Sequence, residues 1–152
     1  IEDGFKIAMQ TLDGGRIGIA AKALGIAQAS IDHSVAYAKE RKQFGREIGK
    51  FQAIQFKIAE MAARTDAARL LTYRAAAVKD SGARHSNESA MAKLMASRNS
   101  VYCSEEAVQI FGGNGYSKEY PVEKLMRDAK ICDIYEGTNE VQKMVIAASV
   151  MA

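Results

Sequence analysis

The sequence is poor in the residues that form disulfide and metal sites. Its 152 residues include no tryptophan, one proline, two cysteines and two histidines. Cys103 and Cys132 lie too far apart for a CxxC pair, and His33 and His85 are isolated. Neither a disulfide framework nor a zinc site is therefore predicted. We expect two buried free thiols, two surface histidines and no bound metal.

Long apolar runs and a strong charge of one sign are also missing. The sequence shows no uninterrupted apolar stretch of about 18 residues, the minimum for a membrane-spanning helix, and no basic-then-apolar pattern of a signal peptide. The net charge of +3 comes without a basic tail or an aromatic ladder, so nucleic-acid binding is not predicted. With 48% hydrophobic and 26% charged residues, the composition predicts one soluble, intracellular globular domain.

Helical periodicity dominates the chain, and strand alternation is almost absent. Apolar residues three and four positions apart predict one long helix to about Arg41, a second that ends at a Gly82 cap, and a third that starts at Ser86 or Asn87 and ends at "FGGNG". The predicted apolar faces contain Ile17, Ala20, Leu24, Ala27, Ile31 and Val35, then Phe51, Ile54, Ile58, Met61, Ala62 and Thr65, then Met91, Leu94, Met95, Val101, Tyr102 and Val108.

Two further helices are predicted near the end of the chain. Pro121 suits the first turn of a short helix, and Thr138 or Asn139 can cap a last one. Long helices that each have one apolar face, joined by short loops, pack as an antiparallel bundle. The predicted fold class is all-α, an up-down bundle of four long helices plus short helical segments.

The stretch "CDIYEGTNE" places a carboxylate, Glu136, directly before a helix start. One interpretation is that the acid complements the positive end of the helix dipole, as acids in this position usually do. The other is a general base that removes a proton from carbon, which requires partial desolvation and a close approach to substrate. Tyr135 and Gly137 favour the second interpretation as predicted substrate contacts, because the ring excludes water and the glycine leaves room for a ligand.

Four strings occur in one order along the chain: "LDGGRIGIAAKALGIAQ", "RKQFG", "QIFGGNGY" and "IYEGTNEVQ". Together they resemble the C-terminal helical domain of the acyl-CoA dehydrogenases, above all the short-chain, or butyryl-CoA, branch. The resemblance covers essentially the whole chain. It implies a single domain, residues 1–152, without the family's N-terminal helical domain and middle β-domain. The start at Ile1, directly inside an apolar periodicity, also indicates a piece of a longer protein.

The resemblance implies an FAD-dependent oxidoreductase of fatty acid β-oxidation that converts short-chain acyl-CoA to trans-2-enoyl-CoA. Glu136 matches the family's base, which takes the pro-R α-proton as hydride leaves the β-carbon for flavin N5. Some relatives keep the base on the earlier helix, at the position of Gly15 here, so Glu136 is the one candidate. Electron-transferring flavoprotein is the implied acceptor, and a homotetramer built as a dimer of dimers is the implied assembly. Bacterial cytoplasm and mitochondrial matrix both fit.

The cofactor residues also follow from the resemblance. Arg41 alone reads as a basic residue at a helix C-terminus, but the family's arginine reaches the FAD pyrophosphate of a neighbouring subunit, with Phe44 close by. Gln52 is likewise implied to lie near the cofactor. The "QIFGGNGY" string is a helix end and not a GxGxxG fingerprint. Its implied contacts with the adenosine end of a partner subunit's FAD are Gln109, Ile110, Phe111, Gly112 and Gly113.

Two further sets have both a structural and a functional interpretation. Thr138, Asn139 and Glu140 read as a helix start, and the resemblance places them beside the FAD of their own subunit. Both roles are compatible, because free N–H groups at a helix start suit phosphate. Asp13 and Arg16 share one helix face through their spacing of three, and the resemblance implies that they meet the nucleotide part of CoA.

Two other functions remain open at this point. A helical bundle could keep the oligomerisation surface and have no catalytic role. An acyl-CoA oxidase-like relative would pass its electrons to oxygen. The presence of Glu136, Arg41, Gln109 and the glycines favours the dehydrogenase over the purely structural bundle.

Overall fold

A computed structural model describes residues 3–152, and within that range five α-helices form one bundle. The elements are α1 (Gly4–Glu40), β1 (Lys42–Gln43), β2 (Arg46–Glu47), α2 (Gln52–Asp80), α3 (Ser86–Phe111), α4 (Val122–Cys132) and α5 (Asn139–Val150), with 3₁₀ turns at Ile48–Lys50 and Gly112–Tyr116. The all-α prediction is confirmed. Three helices are long, with 37, 29 and 26 residues, and α4 and α5 take the place of the expected fourth.

Contacts at both ends of α1 show that it runs parallel to α3. Near the start of both helices the Ser86 hydroxyl donates to the Asp13 carboxylate. Near their ends the rings of Tyr37 and Phe111 stack with centroids 4.0 Å apart. The first and third helices therefore point the same way.

The second helix runs in the opposite direction and packs against both of them. Its later part contacts the start of α3 through Arg74 and Glu88, 3.3 Å apart, and its early part contacts the end of α3 through the Lys57–Glu106 ion pair. Consecutive long helices are thus antiparallel, as the short connections predict.

The centre of the bundle is α3, which packs against each of the other four helices. Its buried side chains are mostly alanine and serine, a face that lets neighbouring backbones approach closely. The apolar face predicted for this helix is therefore wrong in part, because the larger residues lie at its margin. Met91 and Leu94 are only partly buried and Met95 is 45% exposed, whereas Met61 of α2 is fully buried as predicted.

The helix ends follow the expected chemistry closely. Arg41 is the C-cap of α1 and donates its N–H to the Tyr37 carbonyl. Gly82 follows α2 with φ +78°, the left-handed conformation that glycine adopts without strain. The N-cap of α3 is His85, one residue before the predicted Ser86 or Asn87. Thr138 caps α5 by accepting from the Val141 N–H.

A β-hairpin with two residues in each strand follows α1, and it was not predicted from the sequence. Lys42 pairs with Glu47 and Gln43 with Arg46. The two turn residues between them, Phe44 and Gly45, have φ of +52° and +78°, the pair of positive values typical of a type I′ turn. The glycine in "QFGR" was the one local signal for this turn.

Both cysteines are free and buried, as predicted. Burial raises the pKa of the Cys103 thiol to about 11. The histidines are half-buried rather than fully exposed, and His85 Nδ1 lies 2.8 Å from the Ser89 hydroxyl. Among residues 3–152 no group of three histidine, cysteine or acidic side chains could hold a metal ion.

Within the part of the chain that the structure describes, no helix combines the length and the apolar character needed to cross a bilayer.

Candidate active site

The six residues between α4 and α5, together with Asn139 as the first residue of α5, form a loop closed on itself, the 133–139 loop. The backbone N–H of Asn139 donates to the Asp133 carbonyl at 2.9 Å. The side-chain Nδ2 of Asn139 donates to Oδ1 of Asp133 at 2.7 Å. Two hydrogen bonds between its first and last residues therefore fix the ends of the 133–139 loop.

Glu136 sits at the apex of this loop in a rare backbone conformation. Its φ is +54°, and that of Gly137 is +88°. A residue with a Cβ pays for positive φ through steric strain, so the surrounding structure must hold it there. The buried amide of Gln142 does so, since its Nε2 donates to the Gly137 carbonyl at 2.8 Å and to the Glu136 carbonyl at 3.4 Å.

The fold alone, without any ligand, requires a glycine at position 137. Besides its positive φ, a Cβ at this position would lie 2.7 Å from Nε2 of Gln142. The backbone and the Gln142 contact explain this glycine, and an approach by substrate stays a prediction.

The half-buried carboxylate of Glu136 lies directly over Gly15 of α1. A Cβ built on Gly15 would be 2.6 Å from Oε2 and 3.1 Å from Cδ of Glu136. These distances are shorter than van der Waals contact, so any side chain at position 15 would occupy the space that the carboxylate fills. The two positions that sequence analysis named as alternatives for a base therefore share one place in the fold.

Asp13 and Arg16 form an internal ion pair beside this carboxylate. Nη1 of Arg16 lies 2.6 Å from Oδ1 of Asp13, which confirms that both share one helix face. Arg16 is only 5% exposed, and its Nη2 lies 3.8 Å from the Cβ position of Gly137. Its guanidinium is thus directed at the 133–139 loop, and its predicted contact with a nucleotide would need the side chain to turn outward.

Asp13 also borders an open groove of about 670 Å³ at the start of α1. Lys6, Arg84 and His85 contribute basic or titratable side chains to its wall. The basic side chains in the wall of this groove suit a phosphate-bearing ligand. A contact between Asp13 and the substrate therefore stays a prediction.

Tyr135 packs on the bundle next to the loop. Its ring lies 5.2 Å from Nζ of Lys22, and its hydroxyl is 3.7 Å from Sγ of Cys132. Burial raises the pKa of this phenol. These contacts show a ring anchored against α1 and α4, and its predicted role in excluding water from Glu136 stays a prediction.

The three residues that start α5 have different environments. Thr138 is half-buried and caps the helix. Asn139 is 6% exposed with its side chain bonded inside the protein, so only its backbone could approach a cofactor. Glu140 is exposed, and its pKa is lowered by a hydrogen bond to its own backbone N–H and by Lys143. This is the behaviour of an acid at a helix N-terminus.

A second site lies at the other end of α1. Arg41 lines a groove of about 290 Å³ together with Ile110, Phe111, Gly112 and Gly113, five of the residues that sequence analysis assigned to one cofactor contact. We call it the Arg41 groove. The backbone of Gly112 has φ +61° and ψ −138°, a region that only glycine enters readily. A Cβ on Gly113 would meet nothing within 4 Å, so this wall of the groove carries no side chain.

The remaining predicted cofactor residues lie outside this groove's lining. Phe44 is 93% exposed on the hairpin turn, with its ring centroid 6.1 Å from that of Phe51. Gln52 is exposed at the start of α2, and Gln109 is exposed in the last turn of α3. The structure supports no contact of these three with the groove, and their cofactor roles stay predictions.

A protein-family model described as "Acyl-CoA dehydrogenase, C-terminal domain" matches residues 2–151. The chain belongs to this family. The short-chain specific mitochondrial acyl-CoA dehydrogenase of Mus musculus is 57% identical over 148 residues, covering 97% of this chain and 36% of that protein. The solved structure of butyryl-CoA dehydrogenase from Megasphaera elsdenii superposes with a TM-score of 0.98 at 55% identity, covering 99% of this chain and 39% of that one.

A second solved structure of this family's fold bears on partners. A chain in the structure of the electron transferring flavoprotein of Acidaminococcus fermentans matches with a TM-score of 0.97 at 54% identity, covering 98% of this chain and 39% of that one. The acyl-CoA dehydrogenase domain described here thus spans about two fifths of the length of these relatives.

The two sites of this acyl-CoA dehydrogenase domain are far apart. Gly15 and Arg41 belong to one continuous helix and its cap, and 26 residues at about 1.5 Å each separate them by about 39 Å. No single dinucleotide can extend over that distance. The two candidate sites of one chain therefore cannot belong to one dinucleotide.

Sequence analysis missed several residues of these sites. Tyr37, Asn114 and Tyr120 adjoin the Arg41 groove, where the Asn114 amide donates to the Tyr37 hydroxyl at 2.9 Å. Gln142 and Lys93, which donate hydrogen bonds to residues of the 133–139 loop, read in the sequence as ordinary positions on helix faces. Only the tertiary fold brings them to the site.

Proposed function

We propose that this domain supplies the catalytic base and part of the flavin site of an FAD-dependent acyl-CoA dehydrogenase that oxidises short-chain acyl-CoA to trans-2-enoyl-CoA. The observation that carries the proposal is the Glu136 carboxylate, held half-buried at the apex of the 133–139 loop and directly over Gly15. The hydrogen bonds of Gln142 hold the backbone of the loop here, and so set the point from which the Glu136 side chain approaches a bound thioester. Glu136 would take the α-proton of the substrate onto a carboxylate oxygen.

The loop suits proton abstraction from carbon, because such a base must be positioned before the reaction. Positive φ at Glu136 and Gly137 is maintained by Gln142 and by the closure between Asp133 and Asn139. The backbone N–H of Glu136 is on the same loop, so it could also stabilise the charge that develops on the thioester oxygen. The arrangement thus provides both a base and a donor from one residue.

The residues present fit FAD at two places. The exposed guanidinium of Arg41 beside the backbone of Gly112 and Gly113 suits a diphosphate. The half-buried start of α5 at Thr138 lies at the positive end of the helix dipole, which suits a second phosphate-bearing segment. When bound, FAD accepts the hydride that leaves the β-carbon.

The distance of about 39 Å along α1 between Gly15, beneath Glu136, and Arg41 supports an oligomeric enzyme. Arg41 and residues 109–113 would serve the FAD of a neighbouring subunit, while Glu136 and Thr138 serve their own. A homotetramer built as a dimer of dimers meets this requirement, since each symmetric interface places one chain's groove against its partner's site. The N-terminal helical and middle β-domains of the complete polypeptide would supply the remaining walls.

Electron-transferring flavoprotein is the proposed acceptor, supported by the fold match to a chain of the Acidaminococcus fermentans structure. The proposed setting is fatty acid β-oxidation in a soluble compartment, either the bacterial cytoplasm or the mitochondrial matrix. The mouse relative is named as mitochondrial, and the other two relatives come from bacteria.

The experiment that tests the base is Glu136→Gln in the complete polypeptide. We expect FAD content and butyryl-CoA affinity to remain, while the rate of anaerobic flavin bleaching by butyryl-CoA falls by several orders of magnitude, roughly 3 to 7 kcal/mol in barrier. Glu105→Gln, an exposed acid on α3, is the matched control. Bleaching within about tenfold of the parent, about 1.4 kcal/mol, would exclude Glu136 as the base.

The same preparation separates the dehydrogenase from an oxidase. Stopped-flow reoxidation is measured with electron-transferring flavoprotein and with air-saturated buffer. Fast reoxidation by oxygen and none by the flavoprotein would replace the proposed acceptor and leave the role of Glu136 unchanged. A series of acyl-CoA chain lengths in the bleaching assay tests the short-chain preference separately.

A further inference from the structure

A fully buried lysine lies behind the 133–139 loop and has no part in the function proposed above. Lys93 is 0% exposed in the middle of α3. Its Nζ donates to Oδ1 of Asn139 at 3.0 Å, the one hydrogen bond that the ammonium makes among residues 3–152. The partner is thus a neutral amide rather than a carboxylate.

Stability does not explain a lysine at this place. Burial lowers the pKa of Lys93 because it disfavours the charged ammonium, and the charge of Asp133 opposes the shift. The lysine also faces Asn139, the first residue of α5, where the helix dipole is positive. An apolar side chain of similar volume would avoid both costs.

The hydrogen bonds of Asn139 give the lysine a connection to the loop. Oδ1 of Asn139 accepts from Lys93 and, at 3.0 Å, from the hydroxyl of Ser97 one turn later on α3. With Oδ1 held by two donors, the amide has one orientation, and its Nδ2 points at Asp133. The side-chain hydrogen bond that closes the loop therefore depends on donors that belong to α3.

We propose that Lys93 is a positioning residue: it orients Asn139, which closes the 133–139 loop and so holds the Glu136 carboxylate over Gly15. This inference rests on the proposed role of Glu136 as the base. Lys93 itself touches no reacting atom.

The first test measures the loop without using activity. Lys93→Met keeps most of the side-chain volume and removes the donor, and Ser97→Ala removes the second donor with a smaller change in volume. We expect the backbone amides that donate hydrogen bonds in this loop, those of Ile134, Tyr135 and Asn139, to exchange with deuterium at least about tenfold faster in Lys93→Met and to a smaller degree in Ser97→Ala. Asn99→Ala is the matched control, because Asn99 is buried on the same helix but donates to Thr65 of α2.

The second test measures the consequence for catalysis in the complete polypeptide. Lys93→Met should lower the maximal rate of flavin reduction by about tenfold or more with KM for butyryl-CoA within about threefold. Asn99→Ala should lower Tm without this change in rate. Because Lys93 acts through Asn139, combining Lys93→Met with Asn139→Ala should cost no more than the larger single effect.

Each possible result of the exchange and rate measurements either supports the role of Lys93 or overturns it. Unchanged exchange of the Ile134, Tyr135 and Asn139 amides in both Lys93→Met and Ser97→Ala would overturn the inference, and Ser97→Ala alone decides it should Lys93→Met fail to fold. Faster exchange with an unchanged rate would assign Lys93 to loop stability alone and also overturn it. An active Glu136→Gln variant would refute the proposed base, and the exchange data would still report whether Lys93 holds the loop.

Discussion

The contact between Glu136 and Gly15 yields a prediction in which stability and activity move in opposite directions. Gly15→Ala places a methyl group 2.6 Å from Oε2 and 3.1 Å from Cδ of Glu136. Ordinary carbon–oxygen contact is about 3.2 to 3.4 Å, so the carboxylate must retreat by several tenths of an ångström. Because the clash involves the end of a flexible side chain, the helix itself is not strained.

The substitution should change both the stability of the helix and the rate of flavin reduction. Alanine in place of glycine inside a helix stabilises it by about 0.5 to 1 kcal/mol, so the melting temperature of Gly15→Ala should rise or stay level. Misplacement of a reacting group by about 1 Å can cost about 100-fold in rate. For the smaller displacement here we expect the maximal rate of flavin reduction to fall by about 5- to 50-fold.

Gly18→Ala is the matched control, because Gly18 lies one turn away on the same helix and a Cβ there meets nothing within 4 Å. It should gain the same stability with no change in rate. Both variants are measured by calorimetry and by anaerobic stopped-flow reduction with butyryl-CoA. A rate for Gly15→Ala within twofold of that for Gly18→Ala would refute the reasoning that the carboxylate over Gly15 is in its reactive position.

Two further predictions concern the Arg41 groove and the buried thiol. Arg41→Ala in the complete polypeptide should weaken FAD retention and subunit assembly together, since a cofactor shared between chains couples the two equilibria; flavin absorbance and light scattering that both stay unchanged would remove Arg41 from the cofactor site. Burial raises the pKa of Cys103 from 9.0 to about 11. The thiol therefore loses its proton at a lower pH in the unfolded state than in the folded state. The free energy of unfolding should fall by about 2 to 3 kcal/mol between pH 9 and 11. In urea unfolding measured across this pH range, Cys103→Ala should reduce the fall in the free energy of unfolding. An unchanged dependence on pH would contradict the prediction.

The helices and their ends were predictable because local chemistry decides them. Periodic apolar residues, Pro121 at the start of α4, Gly82 after α2 and the glycines after Phe111 all act over a few residues. The gathering of Arg41 with residues 110–113 was predicted only through family resemblance, since no local pattern relates positions 70 residues apart.

The interior of α3 shows what periodicity does not reveal. Hydrophobicity favours Met95 as a core residue and Lys93 as a surface residue, yet the structure exposes the first by 45% and buries the second completely. The tertiary environment decides both, because the close approach of four neighbouring helices leaves room for alanine and serine and a single polar network. The position of the Glu136 carboxylate over Gly15 could likewise not be predicted, since it depends on how the 133–139 loop meets α1.

The alanine and serine face of α3 also determines how the domain responds to random change. Each of these residues contributes little apolar area, so trimming one leaves almost no cavity. Enlarging one by even a methyl group drives two backbones apart where no side chain can rotate away, at about 1 to 3 kcal/mol. In most protein cores, substitutions that remove atoms are the more damaging ones. Along this helix the order is reversed, and inherited or laboratory variants that add atoms to it will be the damaging ones.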